Sequence, residues 1–249
     1  MKRKIHVLTC KEEVRSERLT QCTAVVIDVL LATTTMALAL HHGATEIIPV
    51  AGEKEARQLH AELADASALL CGERGGYTID GFHNPASLLS LDLAGRRLIL
   101  VTTNGTVALQ ACRTARQLYA ASLVNGAAVA SQIYNDTTEG SIVIVCSGSD
   151  GRFALEDFLG AGHLISHLLS HTEQEWQLSD AAVAALKLYA NEGAGQMAAL
   201  LQRTETAQLL YALGYPEAIA YAARTDSIAV VPCWIEGRIS SVQQAYPHA

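Results

Sequence analysis

The stretch VVIDVLLATTTMAL, residues 25–38, indicates the fold class of this chain. Its first half is a β-branched apolar run interrupted by a single carboxylate, Asp28. Its second half opens with three threonines and continues with alanine and leucine at helical spacing. An apolar strand that leads through a short polar loop into a helix is the building unit of α/β proteins with a parallel sheet. We therefore expect a buried strand over residues 24–30, followed by a helix.

Two other stretches repeat this pattern. LILVTTNGTVAL spans residues 98–109 and IVIVCSGSDGRFAL spans residues 142–155. Identity among the three stretches is too low to show common descent. In a parallel sheet, however, all three loops would emerge at the carboxyl edge, where open α/β folds bind their ligands. The sequence thus predicts three strand-loop-helix units that form one site.

The rest of the chain completes an α/β fold with a mostly parallel sheet and helices on both faces. Several of the expected strands are apolar throughout, as strands covered on both faces must be. We expect one domain over residues 1–249, with a helical C-terminal region and a possible seam near residues 170–179. The other expected strands are 5–8, 46–50, 68–71, 97–101, 117–120, 141–146 and 228–231, and the expected C-terminal helices are 180–190, 194–201, 206–212 and 216–223.

Composition excludes several classes of partner. The chain has 249 residues, with 18 Lys and Arg against 25 Asp and Glu, a net charge of −7. Proteins that bind nucleic acid or anionic membranes normally carry the opposite sign, so we expect neither partner. The apolar run behind the basic N-terminus is too short for a signal peptide, and no run is long enough for a membrane helix. Six singly spaced cysteines indicate buried thiols rather than disulfides or a zinc site, so we expect a cytoplasmic protein.

The hydroxyl-rich loops are candidates for binding an anion. A helix N-terminus offers unpaired N–H groups and a positive dipole end, and small residues let a phosphate approach. The alternative is that these residues only cap their helices. The candidate phosphate- and substrate-binding residues are Thr33, Thr34, Thr35, Thr103, Asn104, Gly105, Thr106, Ser147 and Gly148.

Carboxylates beside these loops are candidates for metal binding or catalysis. Asp28 could ligate Mg²⁺, attack as a nucleophile or take a proton, unless it is a helix cap or a buried ion-pair partner. Glu73 and Arg74 lie in a glycine-rich turn that could equally be surface. Glu156 and Asp157 lie in the first turn of the third helix, where they would also pair favourably with its dipole. Mg²⁺ could be held by Asp28 with these carboxylates, phosphate oxygens and water.

Other motifs are absent or incomplete. The chain has neither a P-loop nor a G-x-G-x-x-G fingerprint, and Asp28 does not begin a D-x-D motif. Ser149 lies one residue short of a G-x-S-x-G elbow, which makes a serine hydrolase an alternative. His163, His167 and His171 recur every four residues, as a transition-metal site or a solvated helix flank would.

Together these residues resemble the 2-phosphosulfolactate phosphatase family, the ComB-like enzymes of coenzyme M biosynthesis. The resemblance covers nearly the whole chain. It implies an α/β fold and Mg²⁺-dependent hydrolysis of a phosphate monoester on a small, acidic, sulfonated hydroxy acid. At matching positions it implies that Asp28, Glu73, residues 33–35, residues 103–106 and Glu156-Asp157 line the site. We therefore take Asp28, Glu73 and Arg74 as candidate catalytic residues, and Asp28, Glu156 and Asp157 as candidate metal ligands. The matching motifs are residues 26–30, 32–36, 72–74, 102–106, 155–157, Cys146, Gly148, Gly151 and Asp226.

Two of the chain's departures from this family remove a charge; the others are Ser147 for alanine, Ala154 for serine and Gly160 for cysteine. Leu31 stands where the family has an arginine, and residues 81–85 (GFHNP) are a shortened loop with His83 in place of an aspartate. Losing both charges would cost several kcal/mol of transition-state stabilisation. Two hypotheses follow: a phosphatase with an altered substrate, or a non-catalytic member that binds a small anionic metabolite. The low charge is also compatible with a homodimer.

Overall fold

The computed structural model describes residues 3–136, 140–170, 175–192 and 196–242. Within these ranges an eleven-stranded sheet has the order β5-β4-β6-β3-β11-β10-β7-β2-β8-β1-β9. The strands are β1 (Arg3–Leu8), β2 (Thr23–Ile27), β3 (Glu46–Pro49), β4 (Ala68–Arg74), β5 (Tyr77–Thr78), β6 (Arg97–Val101), β7 (Gln117–Ala121), β8 (Ile142–Cys146), β9 (Trp176–Leu178), β10 (Pro232–Ile235) and β11 (Arg238–Ser241).

Two parallel groups of strands make up most of this sheet. The first is β4-β6-β3 and the second is β7-β2-β8-β1-β9. An antiparallel hairpin, β10-β11, lies between them. It meets each group through one residue pair, Cys233 with Tyr119 and Ile239 with Ile47. The prediction of a mostly parallel sheet is confirmed.

Helices cover both faces of the sheet. On one face of β2 and β6, α1 and α3 share a core that includes Met36 and Leu109. On the other face of β2, α4 and α5 pack against Val25 and Ile27, while α2 packs against the outer face of β6. The helices are α1 (Ala32–His41), α2 (Glu53–Leu63), α3 (Gly105–Cys112), α4 (Gly126–Asn135), α5 (Leu155–Ser170), α6 (Asp180–Glu192), α7 (Met197–Leu201), α8 (Glu205–Ala212) and α9 (Pro216–Ala222), with 3₁₀ turns at Lys11–Glu13, Ser16–Arg18 and Pro85–Ser90.

Two expected strands are misplaced for identifiable reasons, while β4 runs three residues further than expected and the other expected strands agree with the structure to within two residues. The strand expected over residues 24–30 ends at Ile27, because the backbone turns at Asp28 to begin the loop. The strand expected over residues 228–231 was placed too early, since the last hairpin begins at Pro232. A proline needs no ladder N–H at the first residue of a strand, so it starts this strand rather than ending one.

The described part of the seam lies within the same sheet. β9 pairs with the edge strand β1, with Trp176 beside Arg3, and α6 packs on α5. All six cysteines are free thiols, four of them buried. In the described ranges no helix is both long enough and apolar enough to cross a membrane.

Candidate active site

The three loops predicted to converge meet around Asp28. A Cβ atom on Gly105, the first residue of α3, would lie 2.5 Å from Asp28 Oδ2 and 2.3 Å from Ala32 Cβ. Asn104 Oδ1, on the same loop, accepts a hydrogen bond of 3.4 Å from the Asp150 N–H on the third loop. The loops after β2, β6 and β8 therefore touch, and only glycine fits between the first two. The prediction that the three loops converge at one edge of the sheet is confirmed.

Hydrogen bonds within the first loop fix the position of Asp28. Its Oδ1 accepts from the Ala32 N–H at 3.1 Å. The Thr33 hydroxyl accepts from the Asp28 N–H at 2.9 Å and donates to the Asp28 carbonyl at 2.8 Å. The Thr34 hydroxyl donates to the Val29 carbonyl at 2.8 Å. These two hydroxyls shape the loop, and neither they nor Thr35 line the cleft beside Asp28.

A cleft of about 280 Å³ opens beside Asp28. Among the residues that the structure describes, four acidic side chains and one basic side chain line the cleft. The acidic ones are Asp28, Glu73, Asp150 and Glu205, and the basic one is Arg152. Leucines from the first loop and from α8 form an apolar wall. The full lining is Asp28, Leu30, Leu31, Ala32, Glu73, Gly75, Gly76, Asn84, Pro85, Thr102, Thr103, Asn104, Ser149, Asp150, Arg152, Glu205, Thr206, Leu209 and Leu210.

Glu73 ties the glycine-rich turn to the second loop. Its Oε1 accepts from the Thr103 N–H at 2.7 Å, and its Oε2 accepts from the Thr103 hydroxyl at 3.0 Å and the Gly76 N–H at 2.7 Å. Arg74, the next residue, is exposed and lies outside the cleft lining. Glu73 is thus placed at the site, whereas Arg74 is not.

The second loop has a similar internal arrangement to the first. The Thr106 N–H donates to the Thr102 hydroxyl at 3.0 Å, and the Thr106 hydroxyl donates to the Thr102 carbonyl at 3.1 Å. Thr106 is fully buried, so it supports the loop, while Thr103 and Asn104 line the cleft.

Asp157 ties the first loop to the third. Its two carboxylate oxygens accept from the Val29 N–H at 2.9 Å and the Gly148 N–H at 3.0 Å. Glu156 beside it is 3% exposed. Ser147 is buried too, and its hydroxyl has no hydrogen-bond partner among the described residues.

The buried carboxylates disfavour one another's ionisation. Burial, reinforced by the charges of Glu73 and Glu156, raises the pKa of Asp28 to about 7, against the lowering effect of the Ala32 N–H bond. Burial, with the charges of Asp28 and Glu156, also holds the pKa of Asp157 well above its usual range. A cluster of this kind favours a proton or a metal cation nearby.

Two cations that the sequence did not single out lie in or beside the cleft: Arg152 lines it, and Lys11 lies just outside the lining, next to Asn104. Lys11 Nζ donates to Asn104 Oδ1 at 2.8 Å, and its charge favours ionised Asp28. Arg152 lines the cleft and pairs with Glu205 at 3.2 Å. A signal for Lys11 was available: it follows β1, which runs parallel to β8, so its loop emerges at the same edge.

The predicted metal ligands do not form a compact set. Among the described residues, no three acidic side chains around Asp28 bring carboxylate oxygens within 4.8 Å of one another. Asp157 turns its two oxygens to the N–H groups of Val29 and Gly148 instead. Asp28 and Glu73 do line the same cleft. They are the two carboxylates, among those predicted for the site, that line the cleft.

The departures from the family pattern fall in different places. Leu31 lines the cleft, so an arginine there would have lain at the site. The His83 side chain is exposed, and its backbone pairs with β4 through Gly72 and Leu70. Ser149 lines the cleft, but no histidine does so in the described part of the chain, so Ser149 has no histidine base within the cleft lining.

Comparison with known proteins identifies the family. Residues 8–237 match the family model described as 2-phosphosulpholactate phosphatase. A protein of Carboxydothermus hydrogenoformans is 38% identical over 230 residues, 92% of this chain and 92% of that protein. A protein of Clostridium perfringens (strain SM101) is 36% identical over 245 residues, 96% and 97% of the two chains. A protein of Deinococcus radiodurans is 37% identical over 218 residues, 86% and 88%. All three are named "Probable 2-phosphosulfolactate phosphatase". This chain belongs to the 2-phosphosulpholactate phosphatase family.

Proposed function

We propose that this protein is a Mg²⁺-dependent phosphatase that hydrolyses the phosphate monoester of a small acidic hydroxy acid such as 2-phosphosulfolactate. The observation that carries the proposal is the position of Asp28, a buried carboxylate at the point where three strand-to-helix loops meet over a cleft. Relatives that align with nearly the whole chain carry the name of this activity.

The charge of the cleft supports the need for a divalent cation. A phosphate monoester with a carboxylate or sulfonate is strongly anionic, and a lining with four acids and one base would repel it. Mg²⁺ prefers hard oxygen ligands and commonly uses one or two carboxylates, with water and substrate phosphate completing its shell. Asp28 and Glu73 supply such oxygens, with Glu156 buried nearby. When bound, the ion supplies positive charge for the phosphate oxygens.

The chain's own residues account for substrate orientation. Lys11 and Arg152 are cations that can pair with the phosphate and acid groups. The N-terminus of α3 at Gly105 adds backbone donors. Leu30 and Leu31 present an apolar wall to the carbon skeleton. Thr103 and Asn104 hold this geometry through Glu73 and Lys11.

The reaction breaks the bond between phosphorus and the ester oxygen. Water adds to phosphorus overall, and the products are inorganic phosphate and the free hydroxy acid. Asp28 can act by attacking phosphorus or by ligating the cation, and both roles require its ionised form. Its raised pKa makes that form the minority below neutral pH unless a cation is bound.

A non-catalytic member that binds an anionic metabolite is the second candidate, because Leu31 places an apolar side chain in the cleft where the family has an arginine. Lys11 and Arg152 offset that loss in the first hypothesis. Coenzyme M biosynthesis as the pathway, a cytoplasmic location and a homodimer stay predictions from the sequence and the resemblance.

The test is phosphate release from a panel of phosphorylated hydroxy acids, with and without Mg²⁺, by the native chain, Asp28→Asn and Asp80→Asn. Asp80 is exposed and outside the cleft, so it is a matched control. We expect Mg²⁺-dependent turnover in the native chain and Asp80→Asn and none in Asp28→Asn. Uniform inactivity of the native chain, with thermal stabilisation by an anionic metabolite, would favour the binding protein.

A further inference from the structure

Two histidines and one aspartate converge away from the active-site cleft. His163 Nε2 lies 3.0 Å from Asp226 Oδ2, His167 Nε2 lies 2.8 Å from the same oxygen, and the two Nε2 atoms are 3.1 Å apart. They are the one group of three or more His, Cys, Asp or Glu side chains in the described ranges whose ligand atoms lie within 4.8 Å of one another. None of the three lines the cleft.

The backbone around Asp226 aims its carboxylate at the histidines. The Asp226 N–H donates to the Leu123 carbonyl at 2.9 Å. Its Oδ1 accepts from the Ala127 N–H in the first turn of α4 at 2.8 Å. These bonds leave Oδ2 facing His163 and His167, one helical turn apart on α5. Asp226 thus links the loop before β10 to two helices.

The fold also makes room for His163, whose side chain is fully buried. A Cβ atom on Gly126 would lie 2.5 Å from His163 Nδ1 and 2.6 Å from its Cε1. The ring therefore packs directly on the backbone at the start of α4, and Tyr189 lies on another side with ring centroids 5.1 Å apart. A glycine at 126 is required for the ring to occupy this position.

Hydrogen bonds alone account poorly for three mutual contacts. Each Nε2 carries either one hydrogen or one lone pair. If both carry hydrogens, both donate to the same oxygen and the two hydrogens crowd each other across the 3.1 Å separation. If either carries a lone pair, that lone pair faces the carboxylate. A cation at the centre accepts lone pairs from all three atoms at once.

The spacing suits a first-row transition metal. Such ions bind imidazole nitrogen and carboxylate oxygen at about 2.0–2.2 Å, which separates tetrahedral ligands by roughly 3.3 Å. The observed separations of 2.8–3.1 Å require only a small outward movement. His167 and Asp226 are 31% and 32% exposed, so a fourth position can face solvent. Two imidazoles favour Zn²⁺, Co²⁺ or Ni²⁺ over Mg²⁺.

We propose that His163, His167 and Asp226 bind a transition-metal ion of the Zn²⁺ class at a site separate from the active-site cleft. The sequence pattern suggested His163, His167 and His171, of which His171 lies outside the described residues. Here the third ligand comes from Asp226. The ion ties α5 to the loop that leads into β10, the hairpin strand between the two halves of the sheet, so its expected role is structural.

The test measures Zn²⁺ bound per chain by equilibrium dialysis of the untagged, EDTA-stripped protein, and visible absorption after Co²⁺ is added. His167→Gln and Asp226→Asn each remove one ligand, and Asp226→Asn keeps the acceptor for the Ala127 N–H. His42→Gln changes an exposed histidine elsewhere, and Asp28→Asn reports on any Zn²⁺ held in the cleft.

We expect one Zn²⁺ per native chain, a rise in melting temperature on binding, and a tetrahedral Co²⁺ spectrum. Affinity should fall by at least about tenfold in His167→Gln and Asp226→Asn, since each loses a direct ligand, and stay unchanged in His42→Gln. Melting curves of the metal-free variants show whether they are folded. If the native chain does not bind Zn²⁺, or if the two ligand variants bind it as tightly as the native chain, the three residues form hydrogen bonds only and the proposed metal site is wrong.

Discussion

Asp28→Asn should make the metal-free protein more stable at neutral and alkaline pH while it destroys the active site. The substitution keeps the shape of the side chain and an oxygen for the Ala32 N–H. What it removes is a negative charge buried beside other carboxylates. A variant that is more stable but inactive would show that Asp28 is kept for function at a cost to stability.

The magnitude follows from the pKa of Asp28. Burial raises it from 3.8 to about 7. Between these values the folded chain keeps a proton that the unfolded chain has lost, so the native protein loses stability as the pH rises from about 4 to about 7. Each pKa unit is worth 1.36 kcal/mol, which gives a total of about 4 kcal/mol. If the Asn amide N–H₂ group finds no hydrogen-bond partner, it lowers the free energy of unfolding of the variant by about 1–3 kcal/mol at every pH.

The pH-dependent part is therefore the decisive quantity. The assay is urea denaturation of the native chain and Asp28→Asn in EDTA, near pH 5 and near pH 8. We expect the free energy of unfolding of the variant, relative to the native chain, to rise by about 2–3 kcal/mol between these conditions. Asp80→Asn should show no such rise. A difference independent of pH would mean that Asp28 titrates normally, and the description of a buried acidic cluster would be wrong.

Three further predictions concern the cleft. Gly105→Ala should lower phosphatase activity at least about tenfold and destabilise the fold by about 1–3 kcal/mol, because its Cβ would lie 2.5 Å from Asp28 Oδ2. The control Gly52→Ala, whose Cβ meets nothing within 4 Å, should change neither activity nor stability. A Gly105→Ala variant with normal activity and stability would contradict the close approach of the two loops. At limiting Mg²⁺ the rate of phosphate release should rise with pH, with a midpoint near 7. Saturating Mg²⁺ should move this midpoint to lower pH, because the cation competes with the proton on Asp28. A midpoint that does not change with Mg²⁺ would show that Asp28 does not bind the metal. Lys11→Met should raise the KM for phosphorylated substrates by about tenfold, as expected for loss of one charged contact. Lys54→Met, which changes an exposed lysine, should leave KM unchanged. An unchanged KM for Lys11→Met in steady-state assays would show that Lys11 does not bind the substrate.

The three loops could be predicted from the sequence because their signals are local. An apolar run, a hydroxyl-rich loop and a helical pattern each occupy adjacent residues, and the rule that parallel strands end at one edge brings Asp28, Asn104 and Gly148 together. The local pattern around Glu73 allowed a surface turn equally well, and the family resemblance rather than the turn placed this residue at the site.

Side-chain direction and long-range pairing could not be predicted. Thr33 and Thr34 have the chemistry of phosphate ligands, yet their hydroxyls bond to their own loop, and only the backbone path decides this. Lys11 enters the site from a different strand. Asp226 joins His163 from 63 residues away, because tertiary packing rather than helical spacing supplies the third ligand atom.

The most direct test of the proposed activity is the kcat/KM for phosphate release from 2-phosphosulfolactate at saturating Mg²⁺, measured for the native chain and for Asp28→Asn. We predict turnover in the native chain that EDTA abolishes, and a loss of about a thousandfold or more in the variant, as expected when a charge that contacts the reacting phosphate is removed. Undiminished turnover in Asp28→Asn, or none in the native chain, would contradict the assignment.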